Sequence, residues 1–565
     1  MRCLLTCLLC LHGLQGLLGA ATGRDVDLLL DLRRALDASP TKTTLTKRHV
    51  RSNDTDTDQD IWPKNVLLGA GLSACQAEGA WDKYGKAESI IDWVQHVPGN
   101  TLFPENAEVA ADHYHRYTED LALAKQMKFT SHRFSISWSR VLPTGGVDNI
   151  NEQGVQFYKD YIEEVINNGM EPMVTMLHFD QPISLENATG GWSNSDMIEK
   201  YVEYADFLFE TFGDKVKYWN TVNEPNMYCN YFPTIMYLVG ARPNEDDKIY
   251  HCMHNIIIAH MKTYQLYTKK YKEKQKGKLG TSVLMWPATP KTTQSEDVMA
   301  AETFNQVFSG ALLHPLVFGD YPPVLRYLVE KRDAEKGLTQ PRLPSFTAEE
   351  KEILAGGVTD FIALNVYSGC DASYNPNKTD NSKQSLLLGP VLQDMPFVDV
   401  SDFGGFGLRE LGDEALMHDA LIWIWSTYHV PIIISENGYG DTQGVGVNDT
   451  VRAAYHSANL RSLVRTMNEY GIDVLAYYAW SLLDVFEFTG GYFLRPFGII
   501  HVDYKTGSLN RTLKDSAQFF IDLYTTGRVP YVTLPPEKGA SGSTSPFIAA
   551  GMLLAAVFIA MEFRV

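Results

Sequence analysis

Two glutamates close apolar runs in which a carboxylate has no packing use. Thr221-Val222-Asn223-Glu224-Pro225 ends one run, and Ile432-Ile433-Ile434-Ser435-Glu436-Asn437-Gly438 ends another. An ionised carboxylate taken from water without a partner is costly. One such Glu is as readily a loop cap or the partner of a nearby Arg. Two, on separate strand ends, point to general acid/base or nucleophilic chemistry. His113 and His115 are two residues apart and fall on different faces of a helix, which makes them poor metal ligands.

Carboxylates can meet this way only if the fold gathers strand ends, and the chain has the required rhythm. Val66–Leu68 precedes a helix near 107–127, His132–Ile136 one near 151–168, Glu171–Leu177 one near 195–213, and Val216–Val222 one near 250–273. Leu279–Met285 precedes 295–312, Phe361–Val366 precedes 407–428, Pro431–Ser435 precedes 448–470, and Val474–Ala479 precedes 513–527. Eight βα units are the number that closes a parallel barrel, with its chemistry at the ends where strands run into loops. The expected fold class is therefore α/β, a (β/α)8 TIM barrel over 62–534, as one catalytic-type domain followed by a C-terminal membrane helix. Glu224 ends the fourth predicted strand and Glu436 the seventh.

The composition suits a large folded domain: 565 residues, 45% apolar and 21% charged, with 29 Tyr, 26 Phe and 10 Trp. Such aromatic content provides flat apolar walls with polar tips. A formal charge of −19 excludes a nucleic-acid surface, which needs excess Lys and Arg.

The two ends read as targeting segments. Residues 1–21 run from Arg2 through an apolar stretch to small residues, the order of a secretory signal peptide. Residues 22–61 read as a flexible N-terminal segment, 535–546 as a linker and 547–563 as a short transmembrane helix. A removable lipid-anchor signal is the rival reading of that tail. The expected protein is a single-pass type I membrane protein of the endoplasmic reticulum, with the cell surface as the alternative, since a short span suits a thin bilayer. In that setting the sequons at Asn53, Asn187, Asn377, Asn448 and Asn510 become glycosylation sites. Cys229 and Cys252 either close a disulfide loop or stay as buried thiols; spacing does not decide, and the bridge is the preferred reading.

From Trp62 to about Tyr524 the chain resembles glycoside hydrolase family 1, the retaining β-glycosidases, and particularly their klotho and lactase-phlorizin branch. The resemblance rests on Gln76-Ala77-Glu78-Gly79-Ala80-Trp81, Asp112-His113-Tyr114-His115-Arg116-Tyr117, Arg133-Phe134-Ser135-Ile136-Ser137-Trp138-Ser139-Arg140, Asn223-Glu224-Pro225, Asn365-Val366-Tyr367, Glu436-Asn437-Gly438 and Trp480-Ser481-Leu482-Leu483-Asp484. It implies that Glu224 is the acid/base and Glu436 the nucleophile, with Arg133, Asn223 and Tyr367 as orienting residues. It further implies that Gln76, His178, Asn365, Trp480 and Glu487 bind substrate, Trp480 as a stacking floor. No metal or organic cofactor is implied, because an acid and a carboxylate nucleophile suffice for the reaction.

The chain also departs from the family pattern. His178-Phe179-Asp180 and Asp484-Val485-Phe486-Glu487-Phe488 have Phe where the family usually has Trp, which removes two indole donors from the pocket. Pro496 interrupts the usual Arg-Phe-Gly run, so displacement of the loop carrying Glu487 is expected. Two readings follow: a membrane-anchored β-glycosidase, weak or selective, that takes a small β-glycoside or glycolipid, and a catalytically impaired klotho-like binding protein or co-receptor with a membrane-receptor partner.

Overall fold

The structure is a computed structural model that describes residues 33–34, 60–98, 105–240, 248–378, 392–400, 414–441, 444–488 and 490–533. The segments 1–21, most of 22–61, 535–546 and 547–563, and with them Asn53, lie outside the described residues. No helix among the described residues is long and apolar enough to cross a membrane.

Eight parallel strands form a closed barrel in chain order: β1 (Leu67–Leu72), β2 (Ser131–Ser135), β3 (Glu171–Leu177), β4 (Tyr218–Val222), β5 (Lys278–Met285), β6 (Phe361–Val366), β7 (Ile432–Asn437) and β8 (Val474–Trp480). Barrel helices follow each strand, at His113–Gln126, Glu152–Asn167, Asp196–Phe212, Ile249–Lys270, Ser295–Phe308, Glu414–Tyr428, Thr450–Tyr470 and Asp515–Thr526. β1 pairs with both β2 and β8, which closes the barrel. The strands are buried on both faces, as a parallel barrel requires, so they read as apolar runs rather than as an alternation.

Period-two geometry decides which residues enter the barrel. Met173, Phe361, Ala363, Ile433, Ala476 and Tyr478 pack together as the interior plug. On the same inward parity but nearer the strand ends stand Arg133 on β2, Asn365 on β6 and Ser435 on β7. Glu436, one residue beyond Ser435, would then point outward. The pairing of β7 with β6 slips between Ile434 and Glu436, and its pairing with β8 slips between Ile434 and Asn437. This irregularity re-aims the side chain, the recurrent use of a bulge beside a site. Gly438 follows, where a Cβ would stand 1.9 Å from the Trp480 carbonyl oxygen, so no side chain fits.

The domain begins earlier than expected. Asp60 is fully buried and pairs with Arg461 at 2.8 Å and Arg465 at 2.7 Å. Ile61 bridges to Arg528, and the Val529 N–H donates to the Asp60 carbonyl. Residues 60 and 61 therefore belong to the folded domain. A lone Asp gives no apolar signal in sequence, and only the fold brings two arginines to it. Cys229 and Cys252 form a disulfide with Cα atoms 5.7 Å apart, joining the helix Pro225–Leu238 to Ile249–Lys270.

Candidate active site

A pocket of about 160 Å³ opens at the carboxyl ends of the strands. Gln76, His178, Asn223, Glu224, Tyr367, Glu436, Trp480 and Glu487 all line it. Arg133 and Asn365 lie directly behind, fully buried.

Glu224 sits at the turn from β4 into the helix Pro225–Leu238, with φ 45° and ψ 59°. This left-handed conformation is strained for a residue with a Cβ, and such strain gathers at functional sites. Pro225, locked at the first helical position, fixes the turn. Asn365 Nδ2 donates to Glu224 Oε1 at 2.7 Å. Burial pushes the Glu224 carboxyl from an ordinary 4.5 up to about 8, and the Glu436 charge adds to this, while the Asn365 hydrogen bond and Arg133 oppose it.

Glu436 is held differently. Arg133 Nη1 donates to Oε1 at 2.6 Å and the Tyr367 hydroxyl donates to Oε2 at 2.6 Å. Arg133 also donates from Nη2 to Asn223 Oδ1 at 2.8 Å. One guanidinium thus fixes two strand ends at once. The two carboxyls share a pocket in unlike surroundings, an amide donor against one and a cation with a phenol against the other.

The other expected residues gather around this pair. Asn223 Nδ2 faces His178 Nε2 at 3.3 Å, and burial, aided by Arg133, holds the His178 imidazole well below its ordinary value. Trp480 lies nearly parallel to His178, with ring centres 5.8 Å apart, and directs its indole N–H to Glu487 Oε1 at 3.3 Å. Gln76 Nε2 reaches Glu487 Oε2 at 3.4 Å and the Phe486 carbonyl at 2.7 Å. Burial pushes Glu487 up to about 8 against the Trp480 hydrogen bond, with the Glu436 charge raising it further. Glu487 thus faces the pocket. The Pro496 carbonyl accepts from the Asp441 N–H and from Arg452, which pins the loop.

Several supporting residues were not foreseen. Ser282 donates to Asn223 Oδ1 and Ser435 to Asn365 Oδ1. Tyr455, on the helix Thr450–Tyr470, donates to the Tyr367 carbonyl and accepts from Asn437 Nδ2, tying the neighbours of Glu436 together. Inward strand parity points to Ser282 and Ser435; Tyr455 leaves no sequence signal. Among the described residues no cluster of three or more His, Cys, Asp or Glu is placed to hold a metal ion.

The sequence model described as Glycosyl hydrolase family 1 matches residues 58–528. The chain belongs to glycosyl hydrolase family 1. Its β-glycosidase-like hydrolase function follows at family level. This family 1 chain is 35% identical over 483 residues to Myrosinase 1 of Brevicoryne brassicae, covering 83% of this chain and 99% of that one. It is 36% identical to the lactase/phlorizin hydrolase of Rattus norvegicus over 82% of its own length, which is 24% of the relative. Beta-glucosidase 42 of Arabidopsis thaliana is 35% identical, over 82% of this chain and 94% of that one. Among solved structures, an aphid myrosinase superposes with TM-score 0.75 at 33% identity over 83% of this chain and all of that one. A rice β-glucosidase gives 0.73 at 30% identity over 82% and 98%. Identities this even across animal and plant proteins assign the family and no branch within it.

Proposed function

We propose that this family 1 protein is a retaining β-glycosidase in which Glu224 is the acid/base and Glu436 the nucleophile. The observation that carries this is the unequal pair: a buried Glu224 raised to about 8, opposite a Glu436 held by Arg133 and Tyr367. In the first step Glu224 gives its proton to the glycosidic oxygen, which leaves with the electron pair of the broken C1–O bond. A carboxylate oxygen of Glu436 forms the new bond to C1. In the second step Glu224, now ionised, takes a proton from water as the water oxygen displaces Glu436. Asn223, His178, Gln76 and Glu487 provide hydrogen-bonding partners for sugar hydroxyls, and Trp480 supplies the flat face beneath the ring.

The test is covalent trapping with activated 2-fluoro-glycosides in the gluco, galacto and fuco series, read by intact mass and peptide mapping. An adduct on Glu436 that disappears in Glu436→Gln supports the reading. Folded protein that forms no adduct with any probe favours instead a klotho-like binding protein, a reading that draws on Phe179 and Phe488 in the pocket wall.

Placement in the secretory lumen or outside the cell, with membrane attachment through 547–563, belongs to the same proposal. The Cys229–Cys252 disulfide and the exposed asparagines Asn187, Asn377, Asn448 and Asn510 support the compartment. Glycan removal from cell-made protein should lower its mass, and alkaline extraction should leave it in the membrane fraction. An unglycosylated protein in the cytosolic fraction would overturn both.

A further inference from the structure

We infer that Asn226 is a positioning residue that holds Glu224 against Asn365, by clasping the end of β5 where strand pairing with β4 has already stopped. This rests on the reading of Glu224 as the acid/base. Backbone pairing of β4 with β5 ends at Asn220 and Gly280, while β5 runs on to Met285 beside β6. The gap opens beneath the turn that carries Glu224, and side chains span it. Thr281 donates to the Val222 carbonyl at 3.1 Å and Ser282 to Asn223 Oδ1 at 3.0 Å.

Asn226 makes the last crossing. It is 1% exposed, and its amide contacts the Leu284 main chain in both directions. Nδ2 donates to the Leu284 carbonyl at 2.8 Å, and the Leu284 N–H donates to Oδ1 at 3.1 Å. Nδ2 also donates to the Phe308 carbonyl at 3.3 Å. A neighbouring strand would supply such partners for Leu284; here a side chain supplies them. Leu284 stands in register with Asn365 on β6, and Asn365 Nδ2 donates to Glu224 Oε1 at 2.7 Å. The contacts close a circuit: from Glu224 through Pro225 to Asn226, across to Leu284, along the strand pairing to Asn365, and back to the Glu224 carboxyl.

The circuit answers a need of the turn. Glu224 has φ 45°, a conformation that persists only where its surroundings over-determine it. Pro225 has no N–H to give, so Asn226 is the next residue able to tie the turn to the barrel wall. A shorter or apolar side chain there would leave two buried main-chain groups of Leu284 unpaired and free the turn to drift from Asn365. Glu436 and Arg133 act on Glu224 from across the pocket, with His178, Tyr367 and Glu487 around it. The Asn365 hydrogen bond favours the charged form of Glu224, so a carboxyl that loses it titrates higher.

The test replaces Asn226 and follows the Glu224 carboxyl directly. Protein isotope-labelled at its glutamate carboxyls is titrated by NMR, the Glu224 signal being the one missing in Glu224→Gln. In Asn226→Ala that signal should titrate roughly half a unit to one unit higher than in the parent. In parallel, kcat/KM should fall roughly tenfold or more for a phenyl glycoside, whose leaving group needs the proton, and stay within about twofold for a dinitrophenyl glycoside, whose leaving group does not. Should Asn226→Ala fail to fold, Asn226→Ser takes its place, since the cavity of about 20 Å³ beside Asn226 admits a water to the freed Leu284 groups. An unchanged or lower titration, or an equal loss on both substrates, overturns the inference and leaves Asn226 a packing residue. If Glu224→Gln itself loses equally on both substrates, the acid/base reading fails instead, and the titration, which needs no turnover, still decides whether Asn226 places the carboxyl.

Discussion

The Tyr367 hydroxyl donates to Glu436 Oε2 at 2.6 Å, while Tyr455 holds Tyr367 from behind through its backbone carbonyl at 2.9 Å. The nucleophile is thus aimed from a neighbouring strand end through a contact anchored on an outer helix. Hydrogen bonds to charged groups contribute about 1.5–3 kcal/mol. Tyr367→Phe should therefore lower kcat/KM by roughly ten- to a hundredfold. Steady-state kinetics on an activated aryl glycoside checks this; an unchanged rate would remove Tyr367 from the site.

Glu224 stays protonated in the free enzyme until the pH passes about 8. The kcat/KM profile should fall on its alkaline side near that pH, and the fall should vanish in Glu224→Gln with a substrate whose leaving group needs no proton. Stability follows the same carboxyl. The folded state binds a proton that the unfolded state has released between its ordinary 4.5 and about 8, so stability declines as pH rises through that window. Glu224→Gln should raise Tm more at pH 8 than at pH 5. An equal change at both would contradict the shift.

Phe179 and Phe488 should respond differently to replacement by Trp. Phe179 is 6% exposed and packs against Tyr228, Phe232 and Phe488. An indole there overpacks the wall, and Phe179→Trp should cost about 1–3 kcal/mol of stability. Phe488 is only half-buried, so Phe488→Trp should fold normally and, by adding a donor, raise kcat/KM by up to roughly tenfold. Thermal melts beside kinetics separate the two outcomes.

Asp60 lies between Arg461 and Arg465 with its side chain fully buried. Removing one member of a buried ion pair leaves the other uncompensated and costs about 3–5 kcal/mol. Asp60→Ala, or truncation past residue 60, should lower stability by that order, whereas truncation to residue 58 should not. Denaturant unfolding of the three forms is the check.

The Cys229–Cys252 bridge spans 23 residues. On chain entropy a loop of this size contributes about 3 kcal/mol. The Cys229→Ser, Cys252→Ser double variant should melt lower by that amount. Wild-type protein should converge on it under reduction, and a melt indifferent to reductant would refute the contribution.

The eight-strand rhythm and the strand-end glutamates were legible in sequence because strands buried on both faces leave apolar runs, and a carboxylate at the end of such a run stands out. Glu436 itself marks where that legibility stops. Strict alternation from Ile433 and Ser435 turns it away from the pocket, and the register slip of β7 against β6 and β8, set by pairing across strands, turns it in. The protonation of Glu224 is likewise a property of burial and of the charge opposite, neither of which belongs to the residue. Asp60 with its arginines, the loop held by Arg452 despite Pro496, and Tyr455 behind Tyr367 join residues tens to hundreds of positions apart. Local pattern carries no trace of such contacts, because they exist only once the barrel has closed.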